Sequence, residues 1–126
     1  MKKSSLYLLA FGVVVLDQLT KFLAQTFFTS TINTGAAFGL FPGHTLTLSI
    51  ISAFVVVALI FALQKYPLPE LALLIGGTLG NLLDRVFRGY VIDFIAVGWW
   101  PSFNLADAAS TLAVLFLIFR TWKSDN

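Results

Sequence analysis

The chain has 126 residues, 58% of them apolar and 11% charged, where a typical soluble domain is about a quarter charged. A soluble globule of this size could not bury so much apolar surface, so the composition specifies an integral membrane protein. The lack of cysteine excludes disulfides, thiol catalysis and cysteine-based metal sites, and a net charge of +2 lodged at segment ends gives nucleic acid no basic patch.

Four stretches are long enough, or nearly so, to cross a hydrocarbon layer that takes roughly 20 residues per helix. The first covers about 5–27, after Met1-Lys2-Lys3. It is too long for a signal-peptide core, holds Asp17 and shows no small-x-small cleavage site, so it is read as a retained span. Asp17 and Lys21 stand four apart with the acid first, the favourable order for an ion pair on one helix face. "INTGAAFGLFPG" follows and reads as a turn bent at Asn33-Thr34-Gly35. His44 stands alone and founds no metal site. The second span, 45–64, is plainly apolar and ends before Lys65.

The third span, 68–87, carries Gly76 and Gly80, a small-xxx-small face for close helix packing, and ends in "NLLD", Asn81 to Asp84, ahead of Arg85 and Arg88. A short segment then holds Asp93 within "YVIDFIAV" and an aromatic interfacial anchor at Trp99-Trp100-Pro101. The fourth span, 104–122, opens on "NLAD", where Asn104 and Asp107 have the spacing of an N-cap and its N3 acid. Barrel strands would be shorter and alternating, so all four are read as helices. The expected fold is an all-α membrane protein: one domain over 1–126, a bundle of four transmembrane helices with a small, reduced extracytoplasmic element.

Lys2, Lys3, Lys65, Arg120 and Lys123 all fall on one side of such a bundle, which the positive-inside rule makes the cytoplasm. Both termini are then cytoplasmic. Asp17, Asp84, Asp93 and Asp107 converge on one layer near the outer face. Glu70 and Asp125 remain at cytoplasmic ends, where charge is cheap.

Asp84 has arginines beside it that favour plain ionisation. Asp93 is flanked by Val91, Ile92, Phe94 and Ile95 with no adjacent cation, so burial should raise its pKa. Asp107, also without a neighbouring cation, is its natural partner. Two carboxylates sharing one proton make an aspartic-protease-type site without metal or thiol. Blander readings stand beside this one: a structural Asp17–Lys21 pair, a plain capping box at Asn104, and a carboxylate site for Mg²⁺ or Ca²⁺ at Asp84, Asp93 and Asp107. At the level of function, the rivals are a proton or ion conduit and a non-enzymatic scaffold. A single acid layer argues against a relay spaced across the bilayer.

The motifs "DQLTK" (17–21), "NTGAAFG" (33–39), "GGTLGNLLDR" (76–85), "VIDFI" (91–95) and "FNLADA" (103–108) occur in an order that resembles the lipoprotein signal peptidase (signal peptidase II) family over nearly the whole chain. The resemblance implies an intramembrane aspartyl endopeptidase of the bacterial cytoplasmic membrane. It would cut prolipoproteins just before their diacylglyceryl-modified cysteine. It places the dyad on Asp93 and Asp107, assigns Asn33, Asn81, Arg85 and Asn104 to the surroundings of substrate and dyad, gives Asp84 a supporting role, and makes Asp17 and Lys21 a holding pair. It calls for no metal or cofactor. Its partners would be prolipoprotein, membrane lipid and a globomycin-type inhibitor, with the chain acting as a monomer. The segments between Lys21 and Asn33 and between Phe94 and Pro101 are shorter than the family pattern suggests, so a reduced extracytoplasmic sheet is expected.

Overall fold

The computed structural model describes residues 1–125, and Asn126, with the expectation of a cytoplasmic C-terminus placed on it, lies outside the described residues. Helix α1 runs Lys3–Phe27, α2 Thr45–Lys65, α3 Pro69–Arg88 and α4 Leu105–Ser124. Each boundary has a local cause. Pro69 opens α3, where a missing N–H costs nothing. Asn104 caps α4 through a complete capping box with Asp107, as the spacing predicts.

Among the described residues, three helices are long and apolar enough to cross a membrane: α1, α2 and α4. Helix α3 differs from the apolar span expected because Glu70, Asn81, Asp84, Arg85 and Arg88 lie along it. It packs against all three other helices, so these polar groups turn toward protein and not toward lipid. The outward residues of the other helices, among them Phe54, Phe61 and Phe116, are large and apolar.

The α1–α3 contact is close because of two glycines. A Cβ on Gly76 would come within 2.6 Å of the Val13 Cβ, and one on Gly80 within 2.5 Å of the Asp17 carboxylate. The small-residue face read from the sequence is therefore a packing face. Toward the far end of the bundle, Leu6 and Ala10 of α1 join Leu63 of α2 and Leu71, Ala72 and Ile75 of α3 in a buried apolar cluster.

The connecting segments add to the helices the small, reduced sheet expected from the family pattern, as two two-stranded pieces. β1 (Thr31–Asn33) pairs antiparallel with β2 (Val91–Asp93), Thr31 opposite Asp93. β3 (Ile95–Val97) pairs with β4 (Trp100–Phe103), with an irregularity between Ile95 and Val97. Strands of three or four residues are too short to show an alternating pattern, so only their pairing reveals them. The region around Asn33 is a turn, as read: the Gly35 N–H donates to Asn33 Oδ1 at 2.8 Å, and a 3₁₀ turn follows at Ala37–Gly39. Glu70 departs from the expectation of cheap surface charge. It is buried, and the Arg120 guanidinium of α4 donates to it at 2.7 Å.

Candidate active site

The site grows from a charged layer at the end of the bundle where α3 stops and α4 begins. Lys21, Asp17 and Asp84 are wholly buried, and unpaired charges there would be costly. Lys21 Nζ lies 2.7 Å from Asp17 and 3.0 Å from Asp84, and Arg88 reaches Asp84 at 2.6 Å. The helical spacing accounts for the Asp17–Lys21 pair. The second carboxylate comes from another helix.

Both acids also hold backbone. Asp17 Oδ1 accepts the Ala106 N–H at 2.9 Å, fixing the start of α4 against α1. Asp84 Oδ2 accepts the Ile92 N–H at 3.1 Å, fixing β2 one residue before Asp93. Gln18 adds a donor to Asp84 Oδ1 at 2.9 Å. Arg88, Gln18 and the Ile92 N–H donate to Asp84 and the Lys21 ammonium lies beside it, so both of its oxygens are already engaged. It does not join Asp93 and Asp107 in the three-carboxylate cation site weighed from the sequence.

Asp93 ends β2 and Asp107 lies in the first turn of α4, 3% and 4% exposed respectively. Asn104 connects them. Its side-chain amide donates to Asp93 Oδ1 at 2.9 Å, and its backbone N–H donates to Asp107 Oδ2 at 3.2 Å. The remaining oxygens are held as well: Asn33 donates to Asp93 Oδ2 at 3.0 Å, and Asn81 to Asp107 Oδ1 at 2.9 Å. Asn81 Oδ1 in turn accepts from Asn104 and, at 3.1 Å, from Lys21. The ammonium thus sits one amide behind the acids. Burial, and after it the Asp107 charge, pushes the Asp93 carboxyl up to about 6, against the opposing donors Asn33 and Asn104 and the more distant Lys21.

All nine residues singled out in the sequence lie in this layer, though not all touch the acids. Arg85 bonds neither. Its guanidinium donates to Gly35 O at 3.2 Å and Ser52 Oγ at 3.4 Å, tying the loop after β1 to α2 and α3. Sequence reading gave no role to Gln18, although it lies inside the "DQLTK" motif, nor to Phe38. Phe38 has a left-handed backbone (φ 58°), and its ring meets Trp100 edge-on at 5.6 Å. It too lies inside a quoted motif, "NTGAAFG", but no periodicity there marks its contact with Trp100.

Phe38 stands where three cavities meet. Asp93 lines one of about 300 Å³ with Asn33, Thr31 and Ser102. Asp107 lines a second of about 250 Å³ with Asn81, Arg85, Ser52 and Ser110, and a third, apolar one of about 330 Å³ with Trp100, Phe103 and Leu112. A polar backbone and a lipid-like moiety could therefore both approach the acid pair.

Fold and site together define a helical membrane protein with a buried, amide-clamped acid pair at one end of the bundle. Comparison with known proteins makes the class specific. The family model described as signal peptidase (SPase) II matches residues 9–123. A lipoprotein signal peptidase of Syntrophomonas wolfei is 40% identical over 84% of this chain and 85% of its own, and one of Francisella tularensis subsp. novicida is 38% identical over 92% and 90%. A solved structure described as a bacterial membrane enzyme superposes with a TM-score of 0.89 at 30% identity, covering 98% of this chain and 90% of that one. The chain belongs to the signal peptidase II family. It is a membrane peptidase, and its activity is signal-peptide cleavage in lipoprotein maturation.

Proposed function

We propose that Asp93 and Asp107 are the catalytic dyad of an aspartyl endopeptidase that cuts a prolipoprotein just before its diacylglyceryl-modified cysteine. The observation that carries this is Asn104, which donates to one acid through its side chain and to the other through its backbone. A single residue thereby holds both carboxylates in register without neutralising either.

The dyad shares one proton, and Asp93, whose carboxyl is pushed up by burial and the Asp107 charge, holds it in the form that reacts. Its hydroxyl hydrogen-bonds the scissile carbonyl oxygen. Asp107 takes a proton from water, whose oxygen bonds to the carbonyl carbon. The tetrahedral intermediate collapses with C–N cleavage, and the departing nitrogen receives the proton held by Asp107. The amides of Asn33, Asn81 and Asn104 keep the carboxylates oriented throughout, a preorganisation that needs no rearrangement during the reaction.

The proposed setting is a single domain over 1–126 acting as a monomer in the bacterial cytoplasmic membrane. All four helices cross. Helix α3 tolerates its charges because the other three surround it. Both termini are cytoplasmic and the acids lie near the outer face, as Lys2, Lys3, Lys65, Arg120 and Lys123 require. A globomycin-type peptide would compete for the same site.

The test is purified enzyme acting on a diacylglyceryl-modified precursor. Wild type should cut it, Asp107→Asn should not, and a chelator should leave the rate unchanged. Chelator-sensitive turnover restored by Mg²⁺ would replace the dyad with a carboxylate metal site.

A further inference from the structure

Far from the acid layer, at the other end of the bundle, the start of α3 and the end of α4 enclose a cavity of about 310 Å³ lined by Glu70, Phe116, Phe119, Arg120 and Lys123. Glu70 and Asp84 are fourteen residues apart on α3, which places this cavity about 20 Å along the helix from the active site. We propose that it binds the headgroup of an anionic glycerophospholipid, with the phosphodiester on Arg120 and Lys123 and an acyl chain along Phe116 and Phe119.

Charge supports that occupant. Two cations and one acid leave the cavity at net +1, complementary to a lipid of net charge −1 such as phosphatidylglycerol and mismatched to a zwitterionic one. The guanidinium is held in place: Arg120 Nε and Nη2 both donate to Glu70 Oε1, at 3.0 and 2.7 Å, which leaves Nη1 for a ligand. The Lys123 ammonium makes no hydrogen bond or ion pair to another described residue, so it is available. The other oxygen of Glu70 is buried with no partner and, as an acceptor, suits a headgroup hydroxyl and not the phosphate itself. Phe116 and Phe119 are both more than half exposed, and Phe119 lies 6.2 Å from the ring of Trp122, a grouping of the kind that favours the boundary between headgroup and chain. A basic pocket between helix ends is a recurrent form of lipid-headgroup site.

The experiment is native mass spectrometry of the full chain titrated with phosphatidylglycerol and, separately, with phosphatidylcholine of the same acyl chains. Phosphatidylglycerol should bind in preference. Lys123→Gln should weaken it about fivefold, the factor equivalent to the ~1 kcal/mol that one basic residue contributes near an anionic headgroup. Lys65→Gln removes a charge from the same end of the bundle without touching the cavity and should leave the affinity unchanged. Arg120 is not the residue to replace, because that would strand buried Glu70 and endanger folding. Equal binding of the two lipids, equal losses from both lysine variants, or no loss from Lys123→Gln would each overturn the proposal. Displacement of the lipid by soluble glycerol phosphate at equal concentration would overturn it too, since the acyl chain would then contribute nothing.

Discussion

Asp93→Asn should separate chemistry from fold. The carboxyl is 3% exposed and its pKa rises from 3.8 to about 6, burial first and the Asp107 charge second. That rise corresponds to about 3 kcal/mol. The folded state holds the Asp93 proton more tightly than the unfolded chain does. The resulting stabilisation is full below about pH 4 and is lost as pH climbs to about 6. Asn does not titrate, so the variant escapes that decline. It meets a different cost. Both Asp93 oxygens accept from amide NH₂ groups, those of Asn33 and Asn104, and an NH₂ in place of either oxygen would face a donor. A lost buried hydrogen bond of this kind costs about 1–3 kcal/mol. The variant should therefore be less stable than wild type near pH 4 by about that amount, and equal or more stable above about pH 6.5, while cutting nothing at any pH. Thermal unfolding in detergent across this range, with a gel-shift assay on lipid-modified precursor, checks both halves. A stability difference that stays constant with pH would refute the raised carboxyl. A folded variant that still cleaves would refute the dyad.

Asp84→Asn should cost about 3–5 kcal/mol by breaking buried pairs with Lys21 and Arg88, yet the correctly folded fraction should keep part of its activity; specific activity corrected for folded protein measures this. Gly80→Ala should destabilise by about 1–3 kcal/mol, since its Cβ would press on the Asp17 carboxylate, and a Tm equal to wild type would contradict the close α1–α3 approach. Reporter fusions near His44 and after Lys123 should lie on opposite sides of the membrane; finding both on one side would undo the proposed orientation. The strands next to the acids have only three or four residues each, a short edge for an extended peptide. Cleavage should accordingly depend steeply on the diacylglyceryl group and weakly on residues after the cysteine, and a rate series varying each in turn would show the reverse if the short strands clamp the mature side firmly.

What the chain determined by itself was local or global, with little between. Composition makes it a membrane protein, because too few polar residues exist to cover a soluble surface of this size. Spacing within one helical turn disclosed the Asp17–Lys21 pair and the Asn104–Asp107 capping box, since residues three or four apart share a helix face whatever surrounds them. The order of spans placed four acids in one layer. Which of them meet was a tertiary matter. Asn104 to Asp93, Asn81 to Asp107 and Lys21 to Asp84 join residues 11, 26 and 63 positions apart, and no periodicity encodes such separations. Arg85 looked like a partner for Asp84 by adjacency, but successive residues on a helix point about 100° apart, so it turned to Gly35 and Ser52 and left Asp84 to Arg88, one turn on. The burial of Glu70 followed from α4 returning beside α3 and bringing Arg120 to it. Three of the four short strands lie between α3 and α4, and β1 between α1 and α2. The β1–β2 pairing therefore needed the helices to bring two distant connections together, and Asp84 accepts the Ile92 N–H that sets β2 in place.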